Sequence, residues 1–318
     1  MIRKKRKKSW KERQRDRQIK QQRAQEAYRI QIERAAARKP RKWSKGKMLG
    51  AFCLVLLIFG AYEVWRYTAS YNFSDESSLH ISTLKIIYIR ADGSIDPQTA
   101  PIKKIGDTYY IFTSKIYGYI IVEKDNIVID GRGFALQGMF NGTVGIDLTG
   151  RLNVTVKNLE VSNFDYGIGL LCASYIVISH NHLTNNYCGI FMVESSNNII
   201  STNNLTSNTK YGIWLQRSNN NTLYRNTIML NGIYGIYAEF SSGNLIYYNN
   251  FINNTAQVYG FASANFWDNE TLSMGNHWSD YKERYPDASE RDEYGIWDQP
   301  YIIDENNQDK YPLLHPCS

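Results

Sequence analysis

From Val154 to Asn254 the chain alternates short apolar runs with clusters of Asn, Ser, Thr and Gly. Runs such as Val-x-Ile and Gly-Ile-x-Leu have the period of two that predicts strands, and the polar clusters between them predict turns. The pattern recurs. Val161, Leu183, Leu205, Ile228 and Phe251 are separated by 22, 22, 23 and 23 residues. Asn181, Asn203, Asn226 and Asn249 keep the same spacing two places earlier, and Gly167, Gly189, Gly212 and Gly235 each precede an Ile. A fixed period of this length marks a stacked architecture. A leucine-rich repeat would need an LxxLxL core and a helical half, and neither is present. Three short strands and three turns per repeat predict instead an all-β, right-handed single-stranded parallel β-helix, a solenoid whose coils rise by about 4.8 Å.

The recurring Asn then has a physical role. Stacked at an inward turn, each side-chain amide can bond to its equivalent one coil away. Two residues after each Gly the chain reads Gly169, Phe191, Trp214 and Tyr237. The flanking Ile213 and Leu215 belong to the inward set, so strand alternation turns this column outward. Phe191, Trp214 and Tyr237 are therefore predicted to form an external aromatic stripe and are the candidate ligand-binding residues. A contiguous exposed apolar patch marks interaction sites. A stacking ladder that only stabilises the sheet is the competing role.

The segments NNTLYRNTI and NLIYYNNFINNT resemble the repeats of NosD-type β-helix proteins, which are grouped with carbohydrate-binding proteins and sugar hydrolases. The entry IYIRADGSIDPQTAPI, the run DNIVIDGRGFALQG and the tail GNHWSDY to YPLL are similar to the opening and closing segments of such domains. The resemblance covers residues 84 to 314. It implies the pectin-lyase-like fold and an extracytoplasmic location. It implies no particular activity, since one fold hosts many.

Charge divides the chain. Residues 1–47 hold twenty Lys or Arg against four acidic residues, a net of +16; with the whole chain at +7, residues 48–318 carry the difference, −9. Residues 48–62, MLGAFCLVLLIFGAY, have no charge, and Trp43, Trp65 and Tyr67 flank them as interface residues do. This predicts a basic cytoplasmic segment at 1–47 and one transmembrane signal anchor at 48–67. A polar linker at 68–83, a β-helix with its N-terminal cap at 84–264 and an aromatic-rich capping tail at 265–318 follow. A basic run beside a span sets topology and touches anionic lipid, so the membrane is its expected partner and nucleic acid is not.

Candidate chemistry is sparse. Paired carboxylates for glycoside hydrolysis must face each other across a groove, but Asp130, Asp147 and Asp165 fall in different columns. His180 and His182 lie on one side of an extended segment, and Cys188 and Met192 follow in the same coil. Imidazole with soft sulfur suits copper, which the NosD resemblance also implies. In the tail, Asp287, Asp292, Glu293 and Asp298 offer oxygen ligands for calcium without a Gly-spaced loop. Of the four cysteines Cys53 lies in the apolar stretch and Cys317 at the C-terminus, while Cys172 and Cys188 fall in different columns, so free, packed thiols are expected. The expectation is a membrane-anchored extracytoplasmic β-helix that binds a glycan, such as a cell-surface or extracellular polysaccharide, or another surface partner, without catalysis. The alternatives are a polysaccharide lyase or hydrolase and a copper-delivery accessory protein.

Overall fold

A computed structural model describes residues 85–140, 142–291 and 295–317. The expected basic segment, anchor and linker lie outside the described residues, as do Asp292 and Glu293. No helix among the described residues is long and apolar enough to cross a membrane.

The repeats coil into a parallel β-solenoid with three faces. Face 1 stacks Ile127–Asp130, Val154–Lys157, Val177–Ser179, Ile199–Ser201, Thr222–Tyr224 and Leu245–Tyr247. Face 2 stacks Ala135–Gln137, Glu160–Ser162, His182–Thr184, Asn204–Thr206, Thr227–Met229 and Asn250–Ile252. Face 3 stacks Val144–Asp147, Tyr166–Leu171, Cys188–Val193, Tyr211–Gln216, Tyr234–Glu239 and Ala256–Phe261. Strand Ile116–Val122 joins faces 2 and 3 into one sheet, because Ile116 pairs with Leu136 while Ile120 pairs with Ile146. Antiparallel pairs before it, including Ile102–Ile105 with Tyr109–Phe112, close the N-terminal end.

The core is built from columns in register. Val156, Ile178, Ile200, Leu223 and Ile246 line face 1; Val161, Leu183, Leu205, Ile228 and Phe251 line face 2; Ile168, Ile190, Ile213 and Ile236 line face 3. All are fully buried, each contributing about 1.5–3 kcal/mol of hydrophobic stabilisation. Between faces 1 and 2 the chain turns through one left-handed residue per coil: Asn158, His180, Thr202, Arg225 and Tyr248, with φ between 54° and 56°. Such a conformation costs a non-glycine residue about 1–2 kcal/mol.

The polar interior offsets that cost. Asn181 Nδ2 donates to Asn203 Oδ1, Asn203 to Asn226, Asn226 to Asn249 and Asn249 to Asn276, each at 3.0 Å. The backbone N–H of each Asn donates to the same acceptor. The expected ladder is therefore present, and two more accompany it. One runs Asn186, Asn208, Asn231, Asn254; the other runs Asn198, Asn221, Asn244, Asn265. A serine column, Ser195 to Ser263, repeats the device at a third corner.

The tail ends these ladders. Asn276 donates its backbone N–H to Asp309 Oδ2 at 2.7 Å, and Trp278 Nε1 donates to the same oxygen at 2.8 Å. Asn307 Oδ1 accepts from Asn265 N and Trp267 Nε1 at 2.9 and 3.0 Å. Phe251, Trp278 and Tyr301 stack nearly parallel at 4.4 and 4.1 Å, so an aromatic pile covers the last apolar layer. The tail thus covers the last coil with side chains of its own.

Candidate ligand platform on face 3

From Tyr166–Leu171 onward face 3 carries the longest repeated strands, six residues each. Within each, the step at Gly-Ile breaks the alternation. A Cβ on Gly212 would meet the carbonyl oxygen of Gly235 at 2.7 Å and Asn231 Nδ2 at 3.0 Å, so both Gly212 and Ile213 face the interior. Tyr211 and Trp214, three residues apart, consequently both emerge on the outside, where their rings meet at 5.4 Å.

Two outward columns result. The first is Tyr166, Cys188, Tyr211 and Tyr234; the second is Gly169, Phe191, Trp214, Tyr237 and Tyr259. The predicted stripe of Phe191, Trp214 and Tyr237 is in register, with centroids 4.6 and 5.7 Å apart. It belongs to a larger lattice. Tyr166 stacks on Phe191 at 4.4 Å, Tyr211 stacks on Tyr234 at 6.0 Å, and Tyr259 packs on Tyr234 and Tyr237 at 5.2 and 5.8 Å. The stripe residues are half-buried against one another, while Tyr259 is 44% exposed. The Trp214 Nε1 donor is buried without a hydrogen-bond partner. Tyr166, Tyr211 and Tyr234 were not among the predicted site residues. Strict alternation assigns the position before the repeat Gly to the same side as Ile, and only the break at Gly-Ile reverses it.

Burial sets the electrostatics. The Tyr166 and Tyr211 hydroxyls are pushed far above the usual phenol range, first by desolvation, and Tyr237 is raised for the same reason. All three stay neutral at ordinary pH. On one edge Lys210 Nζ sits 4.6 Å over the Tyr187 ring, which meets Tyr166 and Tyr211 edge-on. Beside them the Asp165 carboxyl is raised by desolvation against a backbone N–H from Gly142. On the other edge Gln216 Nε2 donates to Glu239 Oε2 at 3.1 Å.

The four metal candidates are not brought together. His180 and His182 are exposed and line a shallow groove of about 580 Å³ at the corner of faces 1 and 2, with Arg132 and Glu160. Met192 points into the core, and Cys188 is buried on face 3 with its thiol donating to Ile190 O. Strand alternation and the corner between faces separate residues that are close in sequence. No group of three or more His, Cys, Asp or Glu that could hold a metal occurs among the described residues, so these residues do not fit a copper centre. In the tail Asp298 is engaged by Ser289 N and Oγ at 3.0 and 2.9 Å. Of the described thiols Cys188 is packed, Cys317 is half-buried and Cys172 is exposed, the last at a left-handed corner.

The protein is thus a parallel β-solenoid with an external aromatic platform. The family model described as "Periplasmic copper-binding protein (NosD)" matches residues 86–283, more than half of the chain, and the chain belongs to that family. No curated protein matches it. Among solved structures, the periplasmic alginate epimerase AlgG is 22% identical with a TM-score of 0.40, over 45% of this chain and 35% of the epimerase. An alginate lyase from Paenibacillus sp. str. FPU-7 is 13% identical with a TM-score of 0.27, over 50% of this chain and 73% of the lyase. The chain spans about a third of the length of the epimerase it matches.

Proposed function

We propose that this protein is a membrane-anchored, extracytoplasmic binding protein that takes a glycan on the face 3 platform and does no chemistry on it. The observation that carries the reading is the platform itself. Seven rings, Tyr166, Phe191, Tyr211, Trp214, Tyr234, Tyr237 and Tyr259, are contiguous on the outside of one face. The core columns beneath them are already closed by Ile and Leu, so the rings are not needed to exclude water from the interior. Apolar surface of this extent, bordered by polar groups, is the usual mark of a recognition site. Aromatic rings present apolar area to the C–H faces of a sugar, and the polar edges suit its hydroxyls. The family description supports a periplasmic location, and the uncharged stretch at 48–62 after a +16 segment supports an anchor.

A glycan array probed with the full-length protein in detergent tests the reading. Trp214→Ala is expected to weaken binding by about 1–3 kcal/mol, roughly 5- to 150-fold, with an unchanged far-ultraviolet circular dichroism spectrum. A variant that melts much earlier yet binds as well as the parent would assign the rings to stability alone.

A further inference from the structure

We infer that the platform holds a linear glycan laid parallel to the solenoid axis, one sugar unit per coil, with its hydroxyls read by polar rims on both long edges. This inference rests on the platform reading above and adds the orientation, the length and the specificity-determining residues.

The shape of the platform sets the orientation. Along a strand it is two rings wide, Tyr211 beside Trp214 at 5.4 Å. Across the coils it runs from the strand Tyr166–Leu171 to the strand Ala256–Phe261, four coil steps or about 19 Å. A ribbon several times longer than wide accepts an extended chain only along its length. The coil step is close to the advance of one pyranose in such a chain, so successive sugars meet equivalent positions. The rings also leave room for it. Phe191 and Trp214 are tilted by 47°, Trp214 and Tyr237 by 31°, and Tyr237 and Tyr259 by 37°. In this column the tilted rings overlap like shingles and each keeps part of its face uncovered, whereas in the first column Tyr211 and Tyr234 stack at 4° and present their edges.

The rims are equally periodic. Asp165, Tyr187 and Lys210 occupy the same turn of three successive coils: Cys188 N donates to Asp165 O at 2.9 Å, and Lys210 N donates to Tyr187 O at 2.9 Å. One edge therefore offers a carboxylate, a phenol and an ammonium in steps of one coil. Across the platform Gln216 and Glu239 are directly paired on adjacent strands. Acceptors and donors set along the two edges of an apolar strip match the hydroxyls that line both sides of an extended sugar chain.

The test is calorimetric titration of the full-length protein in detergent with cello-oligosaccharides and with oligogalacturonates of two to six units. In the series that binds, affinity is expected to rise at least tenfold from dimer to tetramer and to level off beyond five units. Tyr259→Ala should lower affinity for the hexamer at least fivefold and leave the dimer unaffected, and Lys210→Gln should change the preference between the two series. Affinity independent of length, still abolished by Trp214→Ala, would overturn the axial placement and leave the platform reading standing. If no hexamer binds, or if Trp214→Ala alters none of the affinities, the platform reading falls and the axial placement with it.

Discussion

Asn203 shows how much one side chain does in this fold. Its Oδ1 accepts from Asn181 N and Nδ2, and its Nδ2 donates to Ile178 O and to Asn226 Oδ1. Asn203→Leu keeps the branched shape, adds bulk and removes every side-chain hydrogen bond, leaving buried donors above and a buried carbonyl beside it, at about 1–3 kcal/mol for each orphan. Asn220 holds a left-handed corner with its side chain in solvent, so Asn220→Leu is expected to cost about 1–2 kcal/mol in backbone conformation alone. Thermal melts of the two variants check the order; equal losses would argue against the ladder as a stabilising unit. The Asn203 ladder is legible because its spacing of 22 and 23 residues sits beside an apolar column of the same spacing. The Asn186 ladder has the same spacing, and the Asn198 ladder keeps 23 residues until its last step of 21, so both are legible in the same way. Tyr211 and Tyr234 could not be placed by alternation, because the reversal at Gly-Ile depends on how closely two coils approach. The grouping His180, His182, Cys188 and Met192 fails for a related reason: proximity in sequence is no guide to which of three faces, or which side of one, a residue serves.

At the scale of the element, the tail behaves as a cap with a titratable centre. Burial pushes the Asp309 carboxyl up to about 7, outweighing the N–H donors of Asn276, Trp278 and Tyr311, and Asp268 acts in the same direction as burial. The protonated form is therefore favoured in the folded state. Its contribution to stability is fully present below the ordinary carboxyl value near 3.8 and is lost as pH rises through 7. The melting temperature is expected to fall between pH 5 and pH 8, and Asp309→Asn should flatten that slope. A wild-type profile parallel to that of the variant would show that Asp309 does not titrate in this window. The sequence announces the cap through Trp267, Trp278 and Tyr301. It does not announce that Asn276, Asn307 and Asp309 continue ladders begun in the repeats, because the spacing stretches from 23 residues to 27 between Asn249 and Asn276 and then leaves the period.

For the molecule as a whole, the distribution of charge orders the expected topology. With +16 before the uncharged stretch and −9 from residue 48 onward, the N-terminus is expected to stay in the cytoplasm. Protease added to intact cells should trim the solenoid and spare an N-terminal tag; protection of a C-terminal tag instead would reverse the assignment. The parallel solenoid and its register were readable because every coil reports the same pattern, and the noise of one coil is averaged over the others. The platform was readable only in part, since its second column depends on a local irregularity that repetition copies but does not reveal.

The amide ladders have a consequence for how such a chain can change size. Each rung between Asn181 and Asn249 presents to its predecessor the same acceptor that its successor presents to it. An interior coil therefore cannot distinguish a neighbour that is original from one that is copied. Duplication of residues 182–203 would insert one more rung, lengthen the stack by about 4.8 Å and leave both closed ends untouched. Length in this protein is a tally of equivalent steps, fixed only by where the Asn276, Asn307 and Asp309 side chains bring the count to a stop.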